Sequence, residues 1–353
     1  MKASCKLLLL GLSHASVKGE SHTCFGVDEN RRKSLELLLD GCVELNGRVV
    51  LNTCNRMELY ASLKKSGTED SVKNAFFNGS GLAGVDFERD GYLLCDEDAV
   101  RHLMEVCAGL DSRMIGETEI LGQVKQAYAE ASGRGFADAV LHHIFQKSFS
   151  AAKHARENSG ISVGRTSLGS VASEVARRIY GDFSRCKVLV VGSGRVGTDV
   201  AGALKIRGAR DICVASRTRS HSETLATEIG AAAVDFEKWA DAFRLSDIAI
   251  FGTSSGGLLL TRKIVEAVMK ERRGRNLLVI DLAVPKNVET AVGNLPDVFL
   301  YTFENLADAV NESLRGRERE IDVCRTDLAD RAFSLWKDTA RRFGEALSAR
   351  TAK

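Results

Sequence analysis

Two short stretches of this chain hold residue types that could do chemistry. The first is Leu51-Asn52-Thr53-Cys54-Asn55-Arg56, where a cysteine falls at the junction of two predicted strands. A thiol at a turn, near backbone N–H groups and two residues from a guanidinium, is set up to ionise, and the thiolate is the nucleophile at neutral pH. Arg56 has an alternative use, because its planar fork suits a substrate carboxylate. Position alone equally allows a hairpin cysteine beside a solvated arginine. By contrast, Cys5, Cys95, Cys107 and Cys213 sit in apolar patterns and read as packing residues. The second stretch is Gly192-Ser193-Gly194-Arg195-Val196-Gly197, a GxGxxG between the apolar run Lys187 to Val191 and the helical pattern Val200 to Ile206. Glycines in that setting allow the tight turn, the approach of backbone to a pyrophosphate and close helix–strand packing, with the phosphates at the helix N-terminus. About 20 residues on, where an NAD site carries a carboxylate for the ribose, the chain reads Ala215-Ser216-Arg217-Thr218-Arg219. Ser216, Arg217 and Thr218 can bond a 2′-phosphate, which points to NADP(H).

These residues need elements to hold them. The first ninety-odd residues alternate between short strands and helices: strand Lys6 to Leu12, helix Asn30 to Asp40, strands Arg48 to Asn52 and Met57 to Leu63, a helix near Asp70 to Phe77 and strand Gly91 to Cys95. That order gives a small α+β sheet, ferredoxin-like in plan. Helical periodicity takes over from Glu97 as far as Tyr180, including Ser148 to Asn158 and Ser167 to Ile179. Apolar runs at Lys187 to Val191, Asp211 to Ala215, Ile248 to Phe251, Leu277 to Asp281 and Val298 to Tyr301, with helices between them, predict a doubly wound parallel sheet, a Rossmann fold. Beyond Thr302, Leu306, Val310, Leu314, Ile321, Leu328, Leu335, Phe343 and Leu347 recur among charges, which predicts one or two long amphipathic helices with a face wanting a partner. The expected organisation is multidomain α/β: an N-terminal α+β catalytic domain over 1–160, a Rossmann nucleotide-binding domain over 161–301 and a helical C-terminal dimerisation segment over 302–353.

Composition narrows the classes. A chain of 353 residues exceeds what one core usually fills, and 44% hydrophobic residues with two prolines describe a folded protein rather than a disordered one. The nine cysteines are odd in number and free of CxxC pairs, which predicts reduced thiols in a cytosol-like compartment. The apolar run Leu7 to Leu10 is too short for a spanning helix. The seven histidines form no HExxH or Cys/His cluster, so no metal site is expected. A net charge of +2 means that a nucleic-acid partner would be held by a local patch. Candidate phosphate contacts are Lys147, Lys153, Arg156, Arg165, Arg341 and Arg342.

Several motifs, taken in order, carry a family resemblance. Thr53-Cys54-Asn55-Arg56 with Glu58 and Tyr60, Gly11-Leu12-Ser13-His14, Gly109-Leu110-Asp111-Ser112, Gly116 to Val124, Phe145-Gln146-Lys147, Gly192 to Gly197 and Asp281-Leu282-Ala283-Val284-Pro285 together resemble the glutamyl-tRNA reductases from about Gly11 to Leu314. The resemblance implies an NADPH-dependent oxidoreductase that reduces glutamyl-tRNA to glutamate-1-semialdehyde, the first step of tetrapyrrole synthesis, through a thioester on Cys54. It implies that Thr53, Asn55, Arg56, Ser112, Glu117, Thr118, Glu119 and Gln123 hold the glutamyl group, and that His102 supports activity. On pattern alone, His102 reads as a core histidine on an apolar helix face. A cytoplasmic homodimer, with glutamate-1-semialdehyde aminomutase as the next enzyme, is also implied. The chain departs from the family at Thr118, commonly proline, at Glu119, commonly glutamine, at Ser13, commonly asparagine, and in its shorter tail. Two other readings compete: an NADP-dependent dehydrogenase of a small carboxylic acid in which Cys54 is incidental, and a catalytically silent tRNA-binding regulator.

Overall fold

The run Leu7 to Ser13 is apolar at nearly every position because both its faces are covered, each by its own layer of helices. The computed structural model describes residues 7–17, 29–53, 55–64, 69–80, 86–117, 119–159, 161, 167–253, 257–314 and 318–344. These fall into two compact units, 1–164 with 316–353, and 165–315.

The first unit contains β1 (Leu7–Ser13), α1 (Glu29–Asp40), β2 (Leu45–Asn52), β3 (Arg56–Leu63), α2 (Glu69–Ser80), α3 (Phe87–Asp90), β4 (Tyr92–Cys95), α4 (Asp96–Ala108), α5 (Glu119–Gly133) and α6 (Ala139–Ser159). The sheet runs β2-β3-β1-β4, antiparallel throughout, which is the ferredoxin-like order expected. Successive side chains point to opposite faces. Leu8, Leu10, Leu12, Met57, Leu59, Ala61 and Leu63 therefore pack with Leu35, Leu39 and Phe76 of α1 and α2. Leu7, Leu9, Val49, Leu51 and Tyr60 pack instead with α4, α5 and α6. The helix expected over Ser148 to Asn158 begins earlier, at Ala139.

The second unit contains α7 (Leu168–Tyr180), β5 (Lys187–Val191), α8 (Arg195–Ile206), β6 (Asp211–Ser216), α9 (Arg219–Ile229), β7 (Ala232–Asp235), α10 (Trp239–Leu245), β8 (Ile248–Phe251), α11 (Arg262–Arg272), β9 (Leu277–Asp281), β10 (Val298–Thr302) and α12 (Phe303–Leu314). All six strands are parallel, in the order β10-β9-β8-β5-β6-β7. The order reverses between β5 and β8, which is where doubly wound sheets take their ligands. Strand β7 was not expected, since its four residues carry only one large apolar side chain.

The tail follows a different course from the one expected. Leu306, Ala307 and Val310 of α12 are buried within the second unit, whereas α13 (Glu318–Gly344) returns to the first and lays Ile321, Cys324, Leu328, Ala332 and Leu335 into the core beside α4 and α6. Of the apolar stripe expected to form a dimer face, Leu306, Val310, Ile321, Leu328 and Leu335 are thus buried by the chain itself. Leu347 lies outside the described residues.

Candidate active site

Strand β3 is buried along its whole length, yet one of its faces carries Arg56, Glu58 and Tyr60 at every second position. The neighbouring strands make room for them. Gly11 of β1 pairs with Glu58 on one side and Tyr92 of β4 on the other, and a Cβ at Gly11 would stand 2.3 Å from the Tyr92 ring. With no side chain there, the Tyr92 hydroxyl reaches Glu58 Oε1 at 2.6 Å.

Glu58, fully buried, collects four donors. Arg56 Nη1 lies 2.5 Å and His102 Nε2 2.8 Å from its Oε1, which Tyr92 also meets, and the Tyr60 hydroxyl donates to Oε2 at 2.7 Å. Burial alone would raise the Glu58 pKa, but the charges of Arg56 and His102 and the hydrogen bonds from His102 and Tyr92 hold it far below the carboxylate range. Both tyrosines are pushed up, first by burial and then by the Glu58 charge, so they stay protonated donors. An ionised carboxylate accepts only, so His102 donates its Nε2–H to Glu58. This is the carboxylate–imidazole arrangement that orients a general base. A buried ion pair survives only when its remaining lone pairs and protons are satisfied, as they are here.

Arg56 closes the cluster toward the loop after α4. Its Nη2 donates to the carbonyl of Asp111 and, at 2.9 Å, to Asp111 Oδ2. Burial would lower its pKa, but Glu58, Tyr92 and Asp111 raise it, so the charge is permanent. With the residue 1% exposed, Arg56 is not the solvated arginine that the sequence allowed. Its fork is engaged inside the protein.

The adjoining turn is organised by Thr53. Its Oγ1 accepts the Asn55 N–H at 3.2 Å and the Arg56 N–H at 3.1 Å, while its own N–H donates to the Arg56 carbonyl at 2.9 Å. The Asn55 carbonyl accepts the His14 N–H at 2.9 Å, which ties the end of β1 to the turn. Cys54 lies outside the described residues, as does Thr118.

The loop carrying Ser112 and Glu117 is held by Arg156, whose buried guanidinium donates to the carbonyls of Ala108, Gly116 and Glu117 at 2.7–3.0 Å. That corrects the expectation of Arg156 as a phosphate contact: it is a structural clamp, 7% exposed. Lys147, Lys153, Arg341 and Arg342 are exposed, and Arg165 lies outside the described residues. Gly109 allows the fold-back, with φ +75° and only 2.6 Å between a built Cβ and the Glu117 carbonyl. Two buried polar atoms, Ser112 Oγ and His14 Nδ1, have no partner among the described residues. Glu119 opens α5, half-buried. Gln123, one turn on, lines with Asn52 a cavity of ≈ 400 Å³ bounded also by Arg32, Arg48, Arg134 and Phe136. Among the candidates, Thr53, Asn55, Arg56 and His102 thus share one hydrogen-bonded neighbourhood with Asp111, beside Ser112. His14, whose backbone ties β1 to this turn, was not among the site candidates read from the sequence, although it ends the Gly11-Leu12-Ser13-His14 motif.

In the second unit the glycine turn follows β5. Gly192 has φ +110°, and a Cβ there would stand 2.4 Å from the Gly252 carbonyl, in the turn after β8. Only glycine fits. Gly194 precedes α8 with 3.0 Å to the same carbonyl, and Gly197 sits 4.0 Å from Val190. A cradle of bare backbone at a helix N-terminus suits a pyrophosphate. Val196 belongs to the first turn of α8, and of Arg195 only the backbone is described. Ser193 and Ser216 hydroxyls lie 3.3 Å apart. Arg217 and Thr218 are exposed beyond β6, and Arg217 has no partner among the described residues. Arg219 is paired with Glu223 and, at 2.8 Å, with Asp235 at the end of β7. Asp281, at the end of β9, accepts from the backbone of Ala283, Asn287 and Val288, and Asn287 Oδ1 in turn accepts from Thr253 N–H and Oγ1. Asn287 and Thr253 went unnoticed in the sequence because nothing local marks them.

Comparison with known proteins covers both units. The sequence model of the glutamyl-tRNA reductase N-terminal domain matches residues 10–159, and that of shikimate/quinate 5-dehydrogenases matches 174–309. The chain is 34% identical to a glutamyl-tRNA reductase of Akkermansia muciniphila over 95% of its own length and 98% of the relative's. To one from Chromohalobacter salexigens it is 36% identical, over 95% and 78%. Among solved structures, the glutamyl-tRNA reductase of Methanopyrus kandleri matches with TM-score 0.51 and 32% identity, over 95% of this chain and 81% of that one.

Proposed function

This chain belongs to the glutamyl-tRNA reductase family, and on that premise we propose that it is a cytoplasmic enzyme that reduces glutamyl-tRNA to glutamate-1-semialdehyde. The observation that carries the reading is full-length similarity joined to a buried Arg56–Glu58–His102 cluster directly beside the Thr53–Arg56 turn. Neither a small-molecule dehydrogenase nor a silent tRNA binder is favoured by relatives matched over both units.

In this reading Cys54 is the nucleophile. Its thiolate attacks the ester carbonyl of the glutamyl group, the C–O bond to the terminal ribose breaks, the ribose hydroxyl takes a proton, and a thioester is left on the protein. The permanent charge on Arg56, fixed by Glu58 and Asp111, favours the thiolate in the neighbouring turn. His102, oriented through Nε2 by Glu58, keeps Nδ1 for proton transfer. Thr53 shapes the turn, and Ser112, Glu117, Thr118, Glu119 and Gln123 belong to the substrate-holding set. The residues after β5 fit a nicotinamide nucleotide, with pyrophosphate at Gly192–Gly197 and a 2′-phosphate at Ser216, Arg217 and Thr218. When bound, NADPH supplies the hydride that turns the thioester carbonyl into an aldehyde and releases the thiolate. The homodimer and handover to the aminomutase complete the proposal. They rest on the family resemblance, because the α12 and α13 stripes are already covered.

Mass spectrometry of the protein incubated with glutamyl-tRNA and no cofactor should find an acyl adduct on Cys54 that Cys54→Ser abolishes. Full turnover by Cys54→Ser would overturn the reading.

A further inference from the structure

A tRNA needs a surface that grips phosphate, and the cations of α6 and α13 make a poor one. Arg156 is buried, Lys153 lies 3.8 Å from Glu157, and Arg341 pairs with Asp338 at 2.6 Å. The second unit offers a better surface at the end of its sheet opposite the glycine turn, where the parallel strands begin. Segments 181–187, 206–211, 244–248 and 270–277 lead into β5, β6, β8 and β9, which are neighbours in the sheet. Together they hold nine Lys and Arg against four Asp and Glu, in a chain whose totals are 49 and 47.

Backbone geometry makes these segments one strip. Lys187 stands opposite Asp211 across β5 and β6. The Asp247 N–H donates to the Lys187 carbonyl at 2.8 Å, and the Leu278 N–H to the Asp247 carbonyl at 2.9 Å. Buried Arg272 locks the starts of β8 and β9 together through Asp247 Oδ1 at 2.9 Å and the carbonyls of Ser246 and Asn276. Four strand starts thus lie side by side, about 4.8 Å apart.

The acids of the strip are largely spent. Glu271 pairs with Arg244, Asp247 with Arg272 and Arg275, and Asp182 accepts from the N–H and hydroxyl of Ser184. Left over are Arg185, Lys187, Arg207, Arg210, Lys270 and Arg273, all exposed and without an acidic partner among the described residues. Cations gather at helix C-termini to offset the dipole, which accounts for Arg207 after α8 and Lys270 in α11. It does not account for Arg185, Lys187 and Arg210, which belong to no helix.

We propose that this strip binds the phosphate backbone of the tRNA, away from the aminoacylated end. The proposal rests on the glutamyl-tRNA reading above. Guanidinium forks match phosphate oxygens, and a local excess of positive charge on a nearly neutral chain directs a polyanion to one place. Because the strip lies at the other end of the sheet from Gly192, the RNA and the coenzyme do not compete within this unit.

The test measures binding of deacylated tRNA to the full chain across a salt series. Replacing Arg185, Arg210, Lys270 and Arg273 together by Gln should lower the slope of log Kd against log salt by about 3, since each lost phosphate contact removes roughly 0.7–0.9. Affinity near 0.1 M salt should fall about a hundredfold or more. KM for glutamyl-tRNA should rise in step, while NADPH affinity and the thermal midpoint stay as they are. Ile206→Ser, which removes an 88% exposed apolar side chain from the strip but no charge, should leave the slope unaltered. An unchanged slope in the four-site variant would overturn the proposal. So would a loss of tRNA in Ile206→Ser as large as in that variant, or retained tRNA affinity with lost binding of poly-glutamate, which would mark a surface for an acidic protein. No acylation of wild-type Cys54 sinks the functional reading, whereas normal acylation with an indifferent four-site variant sinks only this surface.

Discussion

At the turn before β3, the first unit gathers side chains: a guanidinium, an imidazole and two phenols crowd around one fully buried carboxylate. At the turn after β5, the second unit does the reverse and leaves side chains out, so that two backbone segments stand closer than any Cβ would permit. The contrast follows from what each is proposed to bind. Nucleophilic attack on an ester needs fixed charge, and fixed charge in a buried place needs partners for every lone pair. A pyrophosphate needs N–H groups within reach, and N–H groups are exposed by removing what covers them.

Four measurements would break or sharpen that contrast. Glu58→Ala should do the most damage, destabilising the protein by about 3–5 kcal/mol, because it strands the buried Arg56 charge. Urea unfolding measures it, and dinucleotide binding to whatever protein remains folded should be unchanged; a loss under 1 kcal/mol would mean that the cluster is not a fixed-charge device. Gly192→Ala should destabilise by about 1–3 kcal/mol through backbone strain and abolish coenzyme binding while sparing acylation of Cys54. Retained NADPH affinity by calorimetry would refute the cradle. Arg217→Ala should raise KM for NADPH about tenfold and leave NADH alone, the loss of one charge-assisted contact to phosphate. Equal effects on both coenzymes would remove the 2′-phosphate from that position.

The fourth is a pH dependence. The Glu58 pKa is depressed by folding, so its contribution is full above its ordinary value of 4.5 and is lost as pH falls below it. His14 is likewise depressed, and staying neutral it adds a milder loss as pH falls through 6.5. Stability measured from pH 8 down to about pH 2 should therefore decline toward acid in two stages, the deeper one below 4.5, and that deeper stage should vanish in Glu58→Gln. A wild-type curve that is flat down to about pH 2 would contradict both.

Much of this was legible in advance. Apolar runs gave every strand but β7, where Ala232 and Ala233 provide too little hydrophobic signal. The glycine turn was readable because its motif is local and backbone-driven. The charge cluster was half readable. Arg56, Glu58 and Tyr60 stand two apart on a strand, which is the period of one face, but their burial depends on Gly11, Tyr92 and Asp111, brought in from other segments. Arg156 shows the same limit from the other side. Its helix looks surface-like in sequence, and only the folded loop of carbonyls around it shows why a cation is buried there.

The course of α13 has a consequence for synthesis. The chain leaves the first unit at residue 164 and re-enters it at 316, and Cys324, Leu328 and Ala332 are wholly buried in that unit's core. A ribosome delivers the nucleotide-binding unit before the helix α13 that covers the first unit's core. The first unit is therefore completed only after the second has been made, and a nascent chain stopped after α12 would hold the charge cluster's sequence while α4 and α6 still lacked their cover.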